Sequence, residues 1–170
     1  MRQKKIILDA ACGGRMFWFN KKHPNALYID NRQAPSGHIY GRNEHSIQPD
    51  ILMDFRKMDF LDASFKLVVF DPPHLISLQE GSWMAKKYGV LNKETWQADL
   101  KQGFDECWRV LEPYGVLVFK WSEQGDGKSR SKPVSDLIKI FGKKPLFGHT
   151  TSSKSNTQWM CFMKIPEGEV

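Results

Sequence analysis

The chain has 170 residues, 41% of them hydrophobic, and its 25 Lys and Arg residues exceed its 19 Asp and Glu residues to give a net charge of +6. This length and composition predict one folded domain with a full hydrophobic core and exclude a fibrous or low-complexity protein. No apolar stretch has the length of a membrane span or the pattern of a signal peptide, so we expect a cytoplasmic protein. The basic balance favours nucleic acid as a partner, although a solvated basic surface explains the same charge.

The three cysteines predict neither a disulfide framework nor a metal site. Cys12, Cys107 and Cys161 are far apart and odd in number, and the chain contains no CxxC motif. No two histidines stand at the spacing of metal ligands. We therefore expect reduced thiols, as in cytosolic proteins, and no structural zinc.

Four short apolar strands are predicted in the first half of the chain, and each ends at an acidic residue. A short helix is predicted at residues 15–22, between the first two strands. Strands that alternate with helical segments predict a parallel sheet, in which the carboxyl ends of the strands share one edge. The predicted strands are residues 6–8, 26–29, 51–53 and 66–70, and the acids at their ends are Asp9, Asp30, Asp54 and Asp71.

The second half is predicted to hold two helices and three strands. Residues 93–111 repeat apolar side chains at spacings of three and four, which predicts a helix that Asn92 caps. A strand follows at 116–121, and a second helix begins near Pro133 and ends near Gly142. Two further strands, at 144–150 and 157–165, are predicted to pair antiparallel. Residues 75–91 show no clear period, and we interpret them as a lid over the strand ends or as a surface loop.

The motif Asp71-Pro72-Pro73-His74 follows the fourth apolar run directly. Proline donates no hydrogen bond to a strand ladder, so the chain must leave the sheet there and present Asp71 at a strand's carboxyl end. This arrangement suits a reaction on a planar amino group. The Asp71 carboxylate can accept one N–H bond, the Pro72 carbonyl can accept another, and the His74 ring can lie against a flat face.

The turns after the first three strands have the features of a nucleoside site. Gly13 and Gly14 follow the first strand and allow close approach of the backbone to a ligand. Asp30 stands 21 residues after Asp9, where an acid is expected to bind ribose hydroxyls. Asp54 can accept a bond from an adenine amine, with the Phe55 ring packed on the base.

With these motifs in view, the chain resembles the class I S-adenosylmethionine-dependent methyltransferases. The resemblance runs from the segment Ile6 to Gly14, through Asp71 to His74, to the terminal strand pair, and covers nearly all of the chain. It is strongest to the small single-domain methyltransferases encoded by phages and prophages, which carry Asp-Pro-Pro-His. The chain also resembles the wider amino-methyltransferase group, whose motif is Asp or Asn, two prolines and an aromatic residue.

The resemblance implies a single α/β domain with a Rossmann-like, doubly wound, seven-stranded mixed sheet whose last strand is antiparallel. It implies S-adenosylmethionine as the cofactor and S-adenosylhomocysteine as the product. Two features depart from the family pattern: the glycine loop lacks alternate-glycine spacing, and His74 stands where an aromatic residue is commoner. The expected catalytic residues are Asp71, Pro72, Pro73 and His74. The expected cofactor contacts are Asp9, Ala10, Cys12, Gly13, Gly14, Asp30, Asn31, Asp54, Phe55 and Asp71.

The expected target is an exocyclic amine, with adenine N6 in DNA or RNA as the favoured choice. Residues 120–144 hold seven basic and three acidic side chains and can follow a phosphate backbone, or form a solvated basic face. Cytosine, a protein glutamine and a small-molecule amine suit the same motif. An inactive cofactor-binding subunit that positions nucleic acid for a partner is the alternative class, and a homodimer is compatible with either. The expected substrate contacts are His74, Trp83, Lys120, Lys128 and Arg130.

Overall fold

A computed structural model describes residues 5–76, 78–79, 81–123, 133–151 and 156–168. Strands dominate the first half of the chain, and the helices follow the fourth strand, close to the predicted order. The strands are β1 (Ile7–Asp9), β2 (Ala26–Asp30), β3 (Ile51–Leu52), β4 (Phe65–Phe70), β5 (Leu111–Ser122), β6 (Phe147–Thr150) and β7 (Thr157–Met163). The helices are α1 (Trp83–Tyr88), α2 (Trp96–Val110) and α3 (Val134–Phe141).

The described strands form one seven-stranded sheet in the order β3-β2-β1-β4-β5-β7-β6. Strands β1 to β5 pair in parallel, whereas β7 runs antiparallel to both of its neighbours, β5 and β6. This confirms the predicted mixed sheet and its antiparallel last strand. The strand order reverses between β1 and β4, and ligands of open α/β sheets bind at the carboxyl ends of strands beside such a switch point.

One face of the sheet is covered by α2 and α3, which pack against each other. Leu100, Phe104 and Cys107 of α2 are fully buried, and the Phe104 ring stacks on Phe141 of α3 with centroids 4.1 Å apart. Helix α2 ends at Val110, one residue before the predicted end at 111, and it begins at Trp96 rather than at residue 93. The Asn92 side chain accepts a bond from the Glu94 amide at 2.8 Å, so it stabilises the turn before the helix instead of capping it.

The opposite face is covered by turns where a helix was predicted. The helix expected at 15–22 is wrong: Arg15 adopts a φ of +51°, outside the helical region, and turns follow. Tertiary contacts hold this path. The Trp18 ring packs edge-on against Tyr28 at 5.0 Å, and Phe17 packs against Trp159 at 5.3 Å. The described helices that pack on the sheet therefore share one face, and aromatic side chains on turns replace a helix on the other.

Residues 75–91 contain the short helix α1, and a hydrogen bond joins the two ends of this segment. The Ser82 hydroxyl caps its start by accepting a bond from the Ala85 amide at 3.1 Å. Gly89, with a φ of +77°, ends the helix, and the Leu91 amide donates to the Leu75 carbonyl at 2.8 Å. These contacts close the base of the segment, which begins five residues after the end of β4.

Candidate functional site

A cavity of about 380 Å³ opens at the carboxyl ends of β1, β2 and β4. It extends from the turn after β1 to the Asp-Pro-Pro-His motif after β4, and part of α1 forms its outer wall. Its volume lies in the range of small-molecule sites. The lining includes these predicted residues: Cys12, Gly13, Gly14, Asp30, Asn31, Phe55, Asp71, Pro72, Pro73, His74 and Lys120.

The turn after β1 brings its backbone to the cavity without intervening side chains. Gly13 has a φ of +46°, a conformation that favours glycine, and its amide donates to Asp30 Oδ2 at 2.9 Å. A Cβ on Gly14 would lie 2.9 Å from His45 Nε2, which is too close for an unstrained contact. Gly14 therefore packs closely against His45 in the loop after β2.

Asp30 lines the cavity as predicted, but its carboxylate is already occupied by protein donors. Its Oδ1 accepts bonds from the Arg32 amide and Nε at 2.9 and 3.0 Å, and its Oδ2 accepts from Gly13 and from Arg32 Nη2. A carboxylate has about four acceptor positions, so this one is filled. Asp30 fixes the glycine turn and Arg32 in this arrangement, and a ribose hydroxyl could reach it only if Arg32 moved.

The acid after β3 is bound to an arginine that lines the cavity. Asp54 binds the Arg56 guanidinium through both oxygens, at 3.0 and 2.6 Å, and the bonds and charge of that arginine keep the pKa of the carboxyl below its usual value despite partial burial. Asp54 does not line the cavity, and the prediction that it contacts adenine is not supported. Phe55, Arg56 and Asn31 line that region instead.

Asp9 and Ala10 lie beneath the glycine turn rather than in the cavity. Both are buried, and neither lines the cavity. Trp18 Nε1 donates to Asp9 Oδ2 at 2.7 Å, while burial raises the pKa of this carboxyl to about 7 and the nearby Asp71 contributes. The prediction that these two residues contact a cofactor is therefore not supported, and Asp9 joins β1 to the turns on the second face.

The Asp71 carboxylate and the Lys120 ammonium form an ion pair on neighbouring strands. Lys120 Nζ donates to Asp71 Oδ2 at 2.6 Å, and the two side chains are 17% and 21% exposed for the acid and the lysine. The ammonium also lies 5.7 Å from the Phe17 ring and 5.6 Å from the Trp159 ring, within cation–π range. Burial raises the pKa of Asp71, and the Lys120 charge opposes that rise. Lys120 therefore lies inside the cavity and not on a solvated basic face.

His74 faces the cavity from a largely apolar surrounding. Its ring lies 5.8 Å from Tyr88 and 6.2 Å from Trp121. Burial, with a smaller contribution from Lys120, lowers the pKa of His74 to about 4, so the imidazole is neutral at pH 7. The loop that carries it is fixed from outside, because a Cβ on Gly89 would lie 2.9 Å from the Pro73 ring.

The aromatic side chain that faces His74 is Tyr88, not the predicted Trp83. Trp83 is 48% exposed and does not line the cavity; the Arg42 guanidinium lies 4.5 Å from its ring centroid. The two aromatics occupy the first and last positions of α1, and the helix turns them about 140° apart. The predicted substrate contacts Lys128 and Arg130 lie outside the described residues.

Arg32 and Arg56 are site residues that sequence reasoning missed. Both line the cavity, and each binds the strand-end acid two positions before it. The repeated pattern Asp-x-Arg, in Asp30-Asn31-Arg32 and Asp54-Phe55-Arg56, is the signal that could have identified them. It places an arginine beside the acid after each of two neighbouring parallel strands.

The described residues contain neither a candidate metal site nor a candidate membrane span. Among the described residues, no group of three or more His, Cys, Asp or Glu side chains could hold a metal ion. No helix in the described part of the chain is long and apolar enough to cross a membrane.

Solved structures that share this fold include several S-adenosylmethionine-dependent methyltransferases. The PH0226 protein of Pyrococcus horikoshii matches with a TM-score of 0.60 and 15% identity, over 98% of this chain and 84% of its own. The N-methyltransferase NodS of Bradyrhizobium japonicum matches with a TM-score of 0.54 and 14% identity, over 95% of this chain and 86% of its own. A SAM-dependent methyltransferase of Methanosarcina mazei matches with a TM-score of 0.53 and 12% identity, over 98% of this chain and 96% of its own. No family model and no curated protein matches the chain. The chain therefore has the fold of the S-adenosylmethionine-dependent methyltransferases.

Proposed function

We propose that this protein is an S-adenosylmethionine-dependent N-methyltransferase that acts on an exocyclic amine, most favourably adenine N6 in nucleic acid. The observation that carries this proposal is the single cavity that joins the glycine turn after β1 to the Asp-Pro-Pro-His motif after β4. A transferase needs its donor and acceptor in line within one space. The methyltransferase fold of the chain supports the same reaction class.

The residues at the β1 and β2 ends of the cavity fit S-adenosylmethionine. Gly13 and Gly14 line the cavity with backbone alone, Phe55 offers a ring, and Asn31 and Arg32 offer polar contacts. The cofactor carries a sulfonium, an ammonium and a carboxylate, and the cavity wall holds charges of both signs. When bound, it supplies an electrophilic methyl group.

At the other end of the cavity, Asp71 and Pro72 are the groups that would hold the acceptor amine. Lys120 engages Asp71 Oδ2, which leaves Oδ1 to accept an N–H bond, and the Pro72 carbonyl can accept a second. Two such bonds would turn the nitrogen lone pair out of conjugation with the ring. The carboxylate would also stabilise the positive charge that develops on nitrogen.

His74 and Tyr88 are the planar groups suited to hold the base itself. Their rings face the cavity 5.8 Å apart and tilted by 50°, so a base that entered between them would require the rings to separate. Because the pKa of His74 is about 4, the imidazole contributes a neutral stacking surface at pH 7 rather than a cation. A base paired in a duplex could not reach this position without being flipped.

Methyl transfer from labelled cofactor to separate pools of DNA, RNA, protein and small-molecule amines tests the proposal. We expect label in nucleic acid and, after digestion to nucleosides, in N6-methyladenosine or its deoxy form. Calorimetry should detect S-adenosylmethionine binding in the absence of any acceptor. Cofactor binding without transfer to any pool would favour the inactive-subunit alternative, and label in protein or small molecules alone would overturn the nucleic-acid assignment.

Removing the Lys120 charge should move the pH dependence of methyl transfer. Because the ammonium opposes the raised pKa of Asp71, Lys120→Met should raise that pKa further, and the ionised carboxylate should be lost at higher pH. We expect the acid limb of the kcat/KM profile to shift upward in pH.

Lys139→Met is the matched control, because it removes the same charge from an exposed position on α3. Its acid limb should coincide with that of the unaltered protein. If the acid limb of the kcat/KM profile of Lys120→Met also coincides with that of the unaltered protein, Lys120 is not a positioning residue for Asp71.

A further inference from the structure

We propose that the Arg42–Trp83 pair is a binding surface for single-stranded nucleic acid, on which a nucleotide next to the target stacks. This inference rests on the proposed function, because it names the form of substrate that the same site accepts. The pair joins the loop after β2 to α1, and Lys87 and Tyr88 of the same helix line the cavity that holds the catalytic motif.

Helix α1 carries two aromatic rings with different surroundings. Tyr88 lines the cavity opposite His74, whereas Trp83 lies outside it with 48% of its surface exposed. Four residues separate them, and the helix turns the two side chains about 140° apart, so they point to different sides of α1. A nucleotide on Trp83 and a target base beside Tyr88 would therefore not stack on each other, and the backbone between them would be extended. A single strand adopts such a path, and a duplex does not.

The charges near the Arg42–Trp83 pair are suited to a phosphate backbone. Burial lowers the pKa of His45, and the charges of Lys87, Arg32 and Arg42 lower it further. These three cations therefore lie near one another, beside the part of the cavity that Arg32 and Lys87 line. Helix α1 has no acid in its first turn and ends in Lys86 and Lys87. Lys87 lines the cavity, so positive charge runs from the Arg42–Trp83 pair to the position of the target base.

Exposed aromatic rings close to Arg42 favour nucleic acid over a folded protein partner. The Trp83 ring lies against Arg42, and Tyr40, two residues before Arg42 in the sequence, is fully exposed. Single-stranded nucleic acid is bound by aromatic platforms combined with cationic grooves, because every base has a flat face. Protein interfaces instead exclude water from a closely packed apolar centre, and isolated rings among lysines and arginines do not supply one.

Fluorescence anisotropy with a labelled mixed-sequence single-stranded 12-mer, in the absence of cofactor, tests the surface. Trp83→Ala should weaken binding about 10-fold or more, the scale of one lost stacking contact, and Trp83→Phe should recover most of the affinity. Arg42→Ala should weaken binding and reduce its salt dependence. The matched controls are Phe147→Ala, an exposed aromatic on β6, and Lys66→Ala, an exposed cation on β4. Neither should change the affinity.

Two results would overturn the inference. One is Trp83→Ala binding as tightly as the Phe147→Ala control, and the other is tighter binding of the duplex than of its single strand. The methyl-transfer assay separates these from a failure of the proposed function. If the unaltered protein binds the 12-mer through Trp83 but transfers no methyl group to any nucleic acid, the proposed function fails and the surface stands. If transfer and affinity both survive Trp83→Ala, the surface fails and the function stands.

Discussion

Replacing Asp71 with alanine should lower methyl transfer about 10²- to 10³-fold while cofactor affinity stays near that of the unaltered protein. The expected loss is that of one preorganised contact to a developing charge. Asp71 lies at the β4 end of the cavity, and its only described hydrogen-bond partner is Lys120, so its removal leaves the glycine turn after β1 intact. Single-turnover transfer and calorimetry of the cofactor, measured on the same preparation, separate the two effects.

Asp71→Asn and Asp105→Ala are the companion variants. The asparagine keeps one oxygen that can accept an N–H bond but loses the charge, so its rate should fall less than that of the alanine variant. Asp105 is 51% exposed on α2 and lies outside the cavity, so its replacement should leave the rate unchanged. An Asp71→Ala protein that transfers methyl groups at the normal rate contradicts the assigned role.

A side chain at Gly103 should destabilise the fold and damage the cavity together. A Cβ there would lie 2.4 Å from Phe55 Cδ2 and 2.9 Å from Phe70 Cζ, closer than real contacts allow. Phe55 and Phe70 pack against each other at 5.2 Å, so neither ring can move away freely. Overpacking of this kind costs about 1–3 kcal/mol, and we expect Gly103→Val to lower the free energy of unfolding by about 3 kcal/mol. Because Phe55 lines the cavity, cofactor affinity should fall as well.

Gly103→Ala and Gly81→Ala provide the graded comparison in urea unfolding. The alanine at 103 should cost less than valine, because it gains helix propensity of about 1 kcal/mol and adds one methyl group rather than three carbons. Gly81 is exposed with no atom within 4 Å of a Cβ, so alanine there should be neutral. Equal stability of the Gly103→Val and Gly81→Ala proteins would show that the α2–Phe55 contact tolerates more volume than its packing indicates.

Local signals in the sequence predicted the sheet and the helices that pack on it. Short apolar runs ended by Asp9, Asp30 and Asp71 identified the strands, and the spacing from Trp96 to Val110 identified α2. These elements were predictable because their causes lie within a few residues: burial of one face, a proline or glycine at an end, an acid after the last apolar position. The helix expected at 15–22 failed because Phe17 and Trp18 pack against distant strands instead of on a common helical face.

Some features of the site could likewise be predicted from the sequence, and others could not. The sequence by itself determined that two glycines follow the first strand and that an acid, two prolines and a planar ring follow the fourth, because strand ends follow from local patterns. Only the tertiary structure decided which groups those acids meet. Lys120 reaches Asp71 from 49 positions away along the chain. Tyr88 rather than Trp83 faces His74, because the direction in which α1 presents its side chains depends on how the segment docks against the strands. Contacts between residues that are distant in sequence are set by packing, and no local pattern encodes them.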